Sequence, residues 1–178
     1  MSTFQLIEDS CAKQNVDVVV NAANCNLAEG LGICGAIFDM AGNEELAVEC
    51  AKHKTPLHDG DAVITSSCRM TNAKAIIHAV GPNFSRKPNS FKELFDAYYN
   101  SLVVLKDNGY HSISFPLISS GIFGGALTNT VAESTRQCVR AYRKFCSDFP
   151  DYNVDVILCA FKNIEFMAAQ AECASQEI

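Results

Sequence analysis

Hydrophobic positions along the 178-residue chain fall into two patterns. Short apolar runs at 4–7, 16–20, 62–65, 75–80, 112–116 and 154–160 alternate with longer stretches in which apolar side chains recur three to four positions apart. The first pattern predicts strands and the second helices, because strand side chains alternate sides residue by residue while a helix repeats about every 3.6 residues. Helices are expected at 35–40, 44–53, 90–108, 128–146 and 164–175. In the third, Phe91, Leu94, Phe95 and Tyr98 share a face, and in the fourth Val131, Cys138 and Tyr142 do. Asn89-Ser90 and Thr128 or Asn129 are candidate N-caps, and Gly109 stands where a helix end favours a left-handed residue. Several strands are apolar at consecutive positions, as strands covered on both faces are. The expectation is an α/β fold, a three-layer α/β/α sandwich with a mostly parallel central sheet, forming one domain over 1–178.

Ligands of such sheets sit beyond the carboxyl ends of the strands, so the segments after the strands carry the candidate chemistry. After the run Val18-Val19-Val20 comes Asn21-Ala22-Ala23-Asn24, then Gly30-Leu31-Gly32-Ile33-Cys34-Gly35 leading into a helix. After Ser114-Phe115-Pro116 comes Leu117-Ile118-Ser119-Ser120-Gly121-Ile122-Phe123-Gly124-Gly125. Glycines there let a ligand approach the backbone, and the N–H groups of a turn or helix start can hold an anion. Either loop taken alone is equally consistent with a tight connection. Two at one sheet edge can cradle a diphosphate between them.

Composition narrows the ligand. A formal charge of −6 argues against a non-specific nucleic-acid binder, which needs a basic face, but leaves room for a phosphate held by backbone donors. The nine cysteines are odd in number, lack a CxxC pair and lie partly inside apolar runs, which predicts reduced thiols. No segment resembles a signal peptide, and no apolar run approaches the roughly 18 residues that span a bilayer. A cytoplasmic protein without a membrane partner is expected.

The details of the two loops, with Ile77-His78-Ala79-Val80-Gly81-Pro82 between them, resemble the macro domain family. The resemblance covers about 4–161. It implies a module that binds ADP-ribose. Asp9, in Glu8-Asp9-Ser10 where the family has Gly-Asp-Ile-Thr, would take the adenine amino group together with Ser10. A solvated turn acid is the alternative. Phe161 matches an aromatic that stacks on adenine, with core packing as its alternative. Ala22, Asn24, Gly32, Ile33 and Cys34 would hold the distal ribose and pyrophosphate. Ser119, Ser120, Gly121, Ile122, Phe123 and Gly124 would wrap the phosphates, with N–H groups of Ser120, Gly121, Ile122 and Phe123 as donors.

Hydrolytic members carry an aspartate in Gly-Gly-Val-Asp-Gly where this chain has Gly32-Ile33-Cys34-Gly35. Some viral members resemble this chain in lacking the acid and yet cleave ADP-ribosyl esters. Asn24 and Cys34 are therefore the candidate catalytic residues: Asn24 to orient ribose hydroxyls and, with a substrate phosphate oxygen, a water. Cys34 could serve as a nucleophile only with a lowered pKa, and packing beside the ribose is the simpler role. Glu29 could supply a carboxylate, although a solvated loop acid is simpler. No lysine lies in either loop to form an adduct. His78 in its apolar run reads as a hydrogen-bonded structural residue, and His53, His58 and His111 do not form metal-ligand spacing with the cysteines. Neither metal nor cofactor is expected. The expected activity is removal of mono-ADP-ribose from protein Asp/Glu or deacetylation of O-acetyl-ADP-ribose by a monomer. The alternative is a reader that docks onto ADP-ribosylated proteins without turnover. A dinucleotide dehydrogenase is disfavoured because the first loop does not fit G-x-G-x-x-G.

Overall fold

The computed structural model describes residues 1–124 and 129–178. Six strands form one sheet in the order β1-β6-β5-β2-β4-β3. They are β1 (Thr3–Glu8), β2 (Val18–Ala23), β3 (Ala62–Ser66), β4 (Ala75–Val80), β5 (Ser112–Pro116) and β6 (Asp155–Ala160). All neighbours are parallel except the edge strand β3, which runs antiparallel to β4. The described helices are α1 (Ile33–Ala41), α2 (Asn43–Cys50), α3 (Phe91–Asp107), α4 (Thr130–Asp148) and α5 (Asn163–Ser175).

Alternation along β2 divides the interior. Val18 and Val20 join Leu94, Tyr98, Leu102 and Phe145 under α3 and α4, where Phe166 of α5 also packs. Val19 and Ala23 join Ile37, Phe38 and Leu46 under α1 and α2. Each valine, leucine, isoleucine or phenylalanine among them taken out of water contributes about 1.5–3 kcal/mol. Every residue of β4 is buried, which accounts for a run that is apolar at every position but His78. The three-layer α/β/α fold with a mostly parallel sheet is thus present.

Four local expectations need correction. β2 runs two residues later than expected at its start and continues through Ala23, because Asn21 pairs with the ladder of β4 rather than opening a turn. α1 starts at Ile33, not at Gly35, with Gly32 at its N-cap at φ +60°. α2 ends at Cys50, short of His53. Ser90 and Asn129 occupy N-cap positions but neither side chain caps its helix. Thr128 lies outside the described residues. Gly109 does adopt the left-handed conformation, at φ +73°.

Candidate functional site

Because β1, β6, β5 and β2 are parallel neighbours, the segments that follow them stand side by side on one edge. Their order is Asp9, Phe161, loop two (residues 117–124 as described) and loop one (residues 24–32). Three strand spacings, about 14 Å, separate the first from the last. An elongated ligand fits that layout better than a compact one.

At the first end, the Asp9 N–H donates to Ala160 O at 3.1 Å and so ties the end of β1 to the residue before Phe161. The Asp9 carboxylate accepts the Ser10 N–H at 2.7 Å and a Gln14 Nε2–H at 3.1 Å. These bonds, the backbone one foremost, hold its pKa below the ordinary value. Ser10 itself is buried. Phe161 is 70% exposed, so core packing is not what this ring does.

Loop two is braced from outside. The Ser119 hydroxyl donates to Pro82 O at 2.8 Å, and Ser119 itself sits at φ +61°. A Cβ on Gly81 would stand 2.3 Å from Ser119 Oγ and 2.4 Å from Ile118 Cγ2, so only glycine lets the loop lie against the end of β4. The Phe84 N–H donates to Phe123 O at 2.8 Å. Beneath, the Tyr98 hydroxyl accepts the Ile118 N–H at 2.9 Å and bonds Ser134 Oγ at 2.6 Å, while Ser134 donates to Ile118 O at 2.6 Å.

One expected phosphate donor, the Ser120 N–H, is spent inside this bracing, and so is the neighbouring Gly124 N–H. The Ser120 N–H turns to Leu117 O at 3.4 Å, and the Gly124 N–H to Gly121 O at 2.9 Å. The buried Ser119 hydroxyl is likewise committed. Among the described residues, the N–H groups of Gly121 and Phe123 donate to no acceptor. They are the donors that this loop offers.

Loop one is braced from within. Asn24 Oδ1 accepts the N–H of Asn26 at 3.2 Å and of Ala28 at 3.0 Å, and Nδ2 donates to Ala28 O at 2.8 Å. The expected dual donor and acceptor role toward ribose is therefore narrowed: both lone-pair sites of Oδ1 are filled, and one Nδ2 hydrogen is left. Gly35 has to be glycine because a Cβ would meet Gly30 O at 2.8 Å. Ala22, expected in the turn, is half-buried within β2 opposite Ala79. Gly32 is exposed, Ile33 half-buried and Cys34 only 5% exposed.

The Cys34 thiol donates weakly to Ala28 O at 3.6 Å. Burial pushes its pKa up, only partly opposed by Asn21 and the Gly30 backbone. The surroundings of Cys34 favour the thiol, not the thiolate.

Sequence reading passed over Asn21. It is 1% exposed, its Nδ2 donates to His78 Nδ1 at 3.0 Å, and its Oδ1 is buried without a partner among the described residues. His78, fully buried, bonds Thr65 Oγ1 through Nε2 at 2.9 Å, and burial holds its pKa down to about 4. A polar seam thus runs beneath loop one. The signal in the sequence was the asparagine that interrupts an apolar strand. Glu29 is exposed and accepts a bond from Asn43 Nδ2. Among the described residues no three His, Cys, Asp or Glu side chains gather to hold a metal ion.

Residues 20–141, more than half of the chain and spanning both loops, match the family described as Macro domain. The chain belongs to the macro domain family. A Fusobacterium nucleatum protein without an assigned function is 48% identical to this macro domain over 109 residues, 61% of each chain, so the match spans less than two thirds of that relative. A Citrobacter rodentium protein named O-acetyl-ADP-ribose deacetylase is 41% identical over 126 residues, 69% of this macro domain and 71% of its own length. Among solved structures, the Oceanobacillus iheyensis macrodomain with ADP superposes with a TM-score of 0.86 at 28% identity, covering 99% of this chain and 94% of the other.

Proposed function

We propose that this macro domain binds ADP-ribose along the carboxyl edge of its sheet and hydrolyses ADP-ribosyl esters. Its substrates would be O-acetyl-ADP-ribose or proteins carrying mono-ADP-ribose on Asp or Glu. The observation that carries the reading is the order Asp9, Phe161, loop two, loop one along one edge. A carboxylate suits an exocyclic amine, an exposed ring suits a base, the N–H groups of loop two suit a diphosphate and a glycine turn suits a ribose. The deacetylase relative and the ADP-bound neighbour support the same ligand.

In this reading Asp9 and Ser10 meet adenine, Phe161 stacks on it, and Gly121, Ile122 and Phe123 hold the phosphates. The first turn of α1, from Gly32 through Cys34, closes on the distal ribose. A water reaches the ester with its orientation set by the remaining Asn24 N–H and a phosphate oxygen of the ligand. Its oxygen bonds to the carbon under attack as the acyl carboxylate or the ribose hydroxyl departs with the proton. We further infer a monomer, a single domain over 1–178, and a cytoplasmic home in which the nine thiols stay reduced.

The buried, raised-pKa Cys34 at the place of the family's acid favours a second reading, a reader that binds without turnover. Incubation with O-acetyl-ADP-ribose and with a glutamate-ADP-ribosylated protein separates the two. Release of acetate or ADP-ribose, lowered at least about tenfold by Asn24→Ala, is the expected result. Tight calorimetric binding of ADP-ribose with both substrates untouched would establish the reader.

A further inference from the structure

Loop one has a second face. Between its residues 26–29 and α2 lies a groove of about 390 Å³, lined also by His53 and Thr55. The exposed methyl groups of Ala47 and Ala51, one helical turn apart, form part of its floor. The polar groups around it are mainly acceptors. Glu29 presents a carboxylate fixed by Asn43 Nδ2, and among the described residues no cation pairs with it. Asn43 keeps its amide oxygen. The His53 Nε2–H donates to Ile64 O at 2.8 Å, which in the neutral ring leaves Nδ1 as an acceptor. Lys52, at the end of α2, is committed to Glu49.

Acceptors at both ends of α2, Glu29 with Asn43 at its start and His53 beyond its finish, with small apolar side chains between them, suit a cation on an aliphatic stem. The volume admits one long side chain and not a folded element. The net charge of −6 draws cations toward the molecule. Loop one is the common wall between this groove and the ribose end of the cleft. A ligand here therefore lies next to whatever the ribose is attached to.

We propose that the groove binds a guanidinium or primary ammonium group, supplied by a basic residue close in sequence to the ADP-ribosylated residue of a substrate protein. The proposal rests on the ADP-ribose reading of the cleft and adds the kind of protein surface that reading would select. A free small amine has the same chemistry, and the test separates the two sources.

The whole chain, saturated with ADP-ribose, is titrated with N-acetyl-arginine methylamide and with its citrulline counterpart, and backbone amide resonances are followed. The arginine probe is expected to shift the signals of residues 26–29 and 43–51, with the citrulline probe at least about tenfold weaker. Ala47→Leu, at an exposed helical position outside the cleft, fills the groove and is expected to abolish those shifts while leaving ADP-ribose affinity as it was. In parallel, glutamyl-ADP-ribosyl peptides with arginine or alanine beside the modified residue are compared as binding partners and as substrates. Preference for the arginine peptide, lost in Ala47→Leu, supports the substrate-side role. Binding of the arginine probe without any peptide preference overturns that role and assigns the groove to a free amine. Equal binding of both probes, or shifts that survive Ala47→Leu, overturns the site itself. Failure to bind ADP-ribose at the outset would overturn the reading of the cleft instead, and calorimetry reports it separately.

Discussion

Loop one is fixed by the side chain that begins it: Asn24 accepts two backbone hydrogen bonds and donates a third, which close the turn on itself. Loop two, as described, leans on its neighbours, with Gly81 and Pro82 at the end of β4, Phe84 beyond them, and the Tyr98–Ser134 pair from two helices below. The two look alike as glycine-rich stretches after buried strands. Their supports differ in what can disturb them. Loop one stands above a seam that contains a titrating histidine, whereas loop two stands above a tyrosine whose pKa burial pushes well above its ordinary value. A local bracing resists distant change, and a tertiary one transmits it.

The sharpest break of this contrast is Gly81→Ala. The added methyl would force Ser119 and Ile118 away, costing about 3 kcal/mol in stability and lowering ADP-ribose affinity by about a hundredfold, read by urea unfolding and calorimetry. Unchanged affinity would show that loop two tolerates the shift and needs no such support.

Acid should act on the seam beneath loop one. His78 is neutral in the fold down to about 4, while its ordinary value is 6.5. The unfolded chain therefore gains a proton first as pH falls, and the stability present above 6.5 is lost progressively down to about 4. The loss from this group is about 3 kcal/mol, and His78→Gln should flatten the unfolding midpoint across that window. A slope that persists in the variant would place the proton uptake elsewhere.

Tyr98→Phe leaves the buried Ile118 N–H without its acceptor, at a cost of about 2 kcal/mol. It should weaken phosphate binding through loop two while the amide exchange of residues 24–28 stays as it was. Faster exchange there would mean that the loops are coupled and the contrast too strong. The smallest effect is expected of Cys34→Ser, which should change turnover by less than about threefold, because burial favours the thiol over the thiolate that a covalent step would need. Loss of turnover with ADP-ribose binding intact would restore the nucleophile.

How much of this was legible depends on how far apart the cooperating residues lie. The six strands, five helices and two glycine-rich loops follow from local patterns, since apolar runs and helical spacing are written within a few residues. Asn21 shows the limit. As an amide after three valines it reads as the start of a turn, yet the ladder with β4 makes it strand, and its partner His78 is 57 residues away. Asn24 shows it again: its residue type suggested a ligand contact, while the fold commits most of its hydrogen-bonding capacity to residues 26 and 28.

By itself the sequence determined the layered fold, the family and the two segments on which ADP-ribose binding is proposed. Those rest on periodicity and short motifs, which are properties of contiguous chain. Only the tertiary structure decided which backbone donors stay open, which thiol is buried, why residue 81 is glycine and that a groove lies behind loop one. Each of these is a contact or a space between segments distant in sequence, set by strand order and helix packing, and no local pattern encodes it.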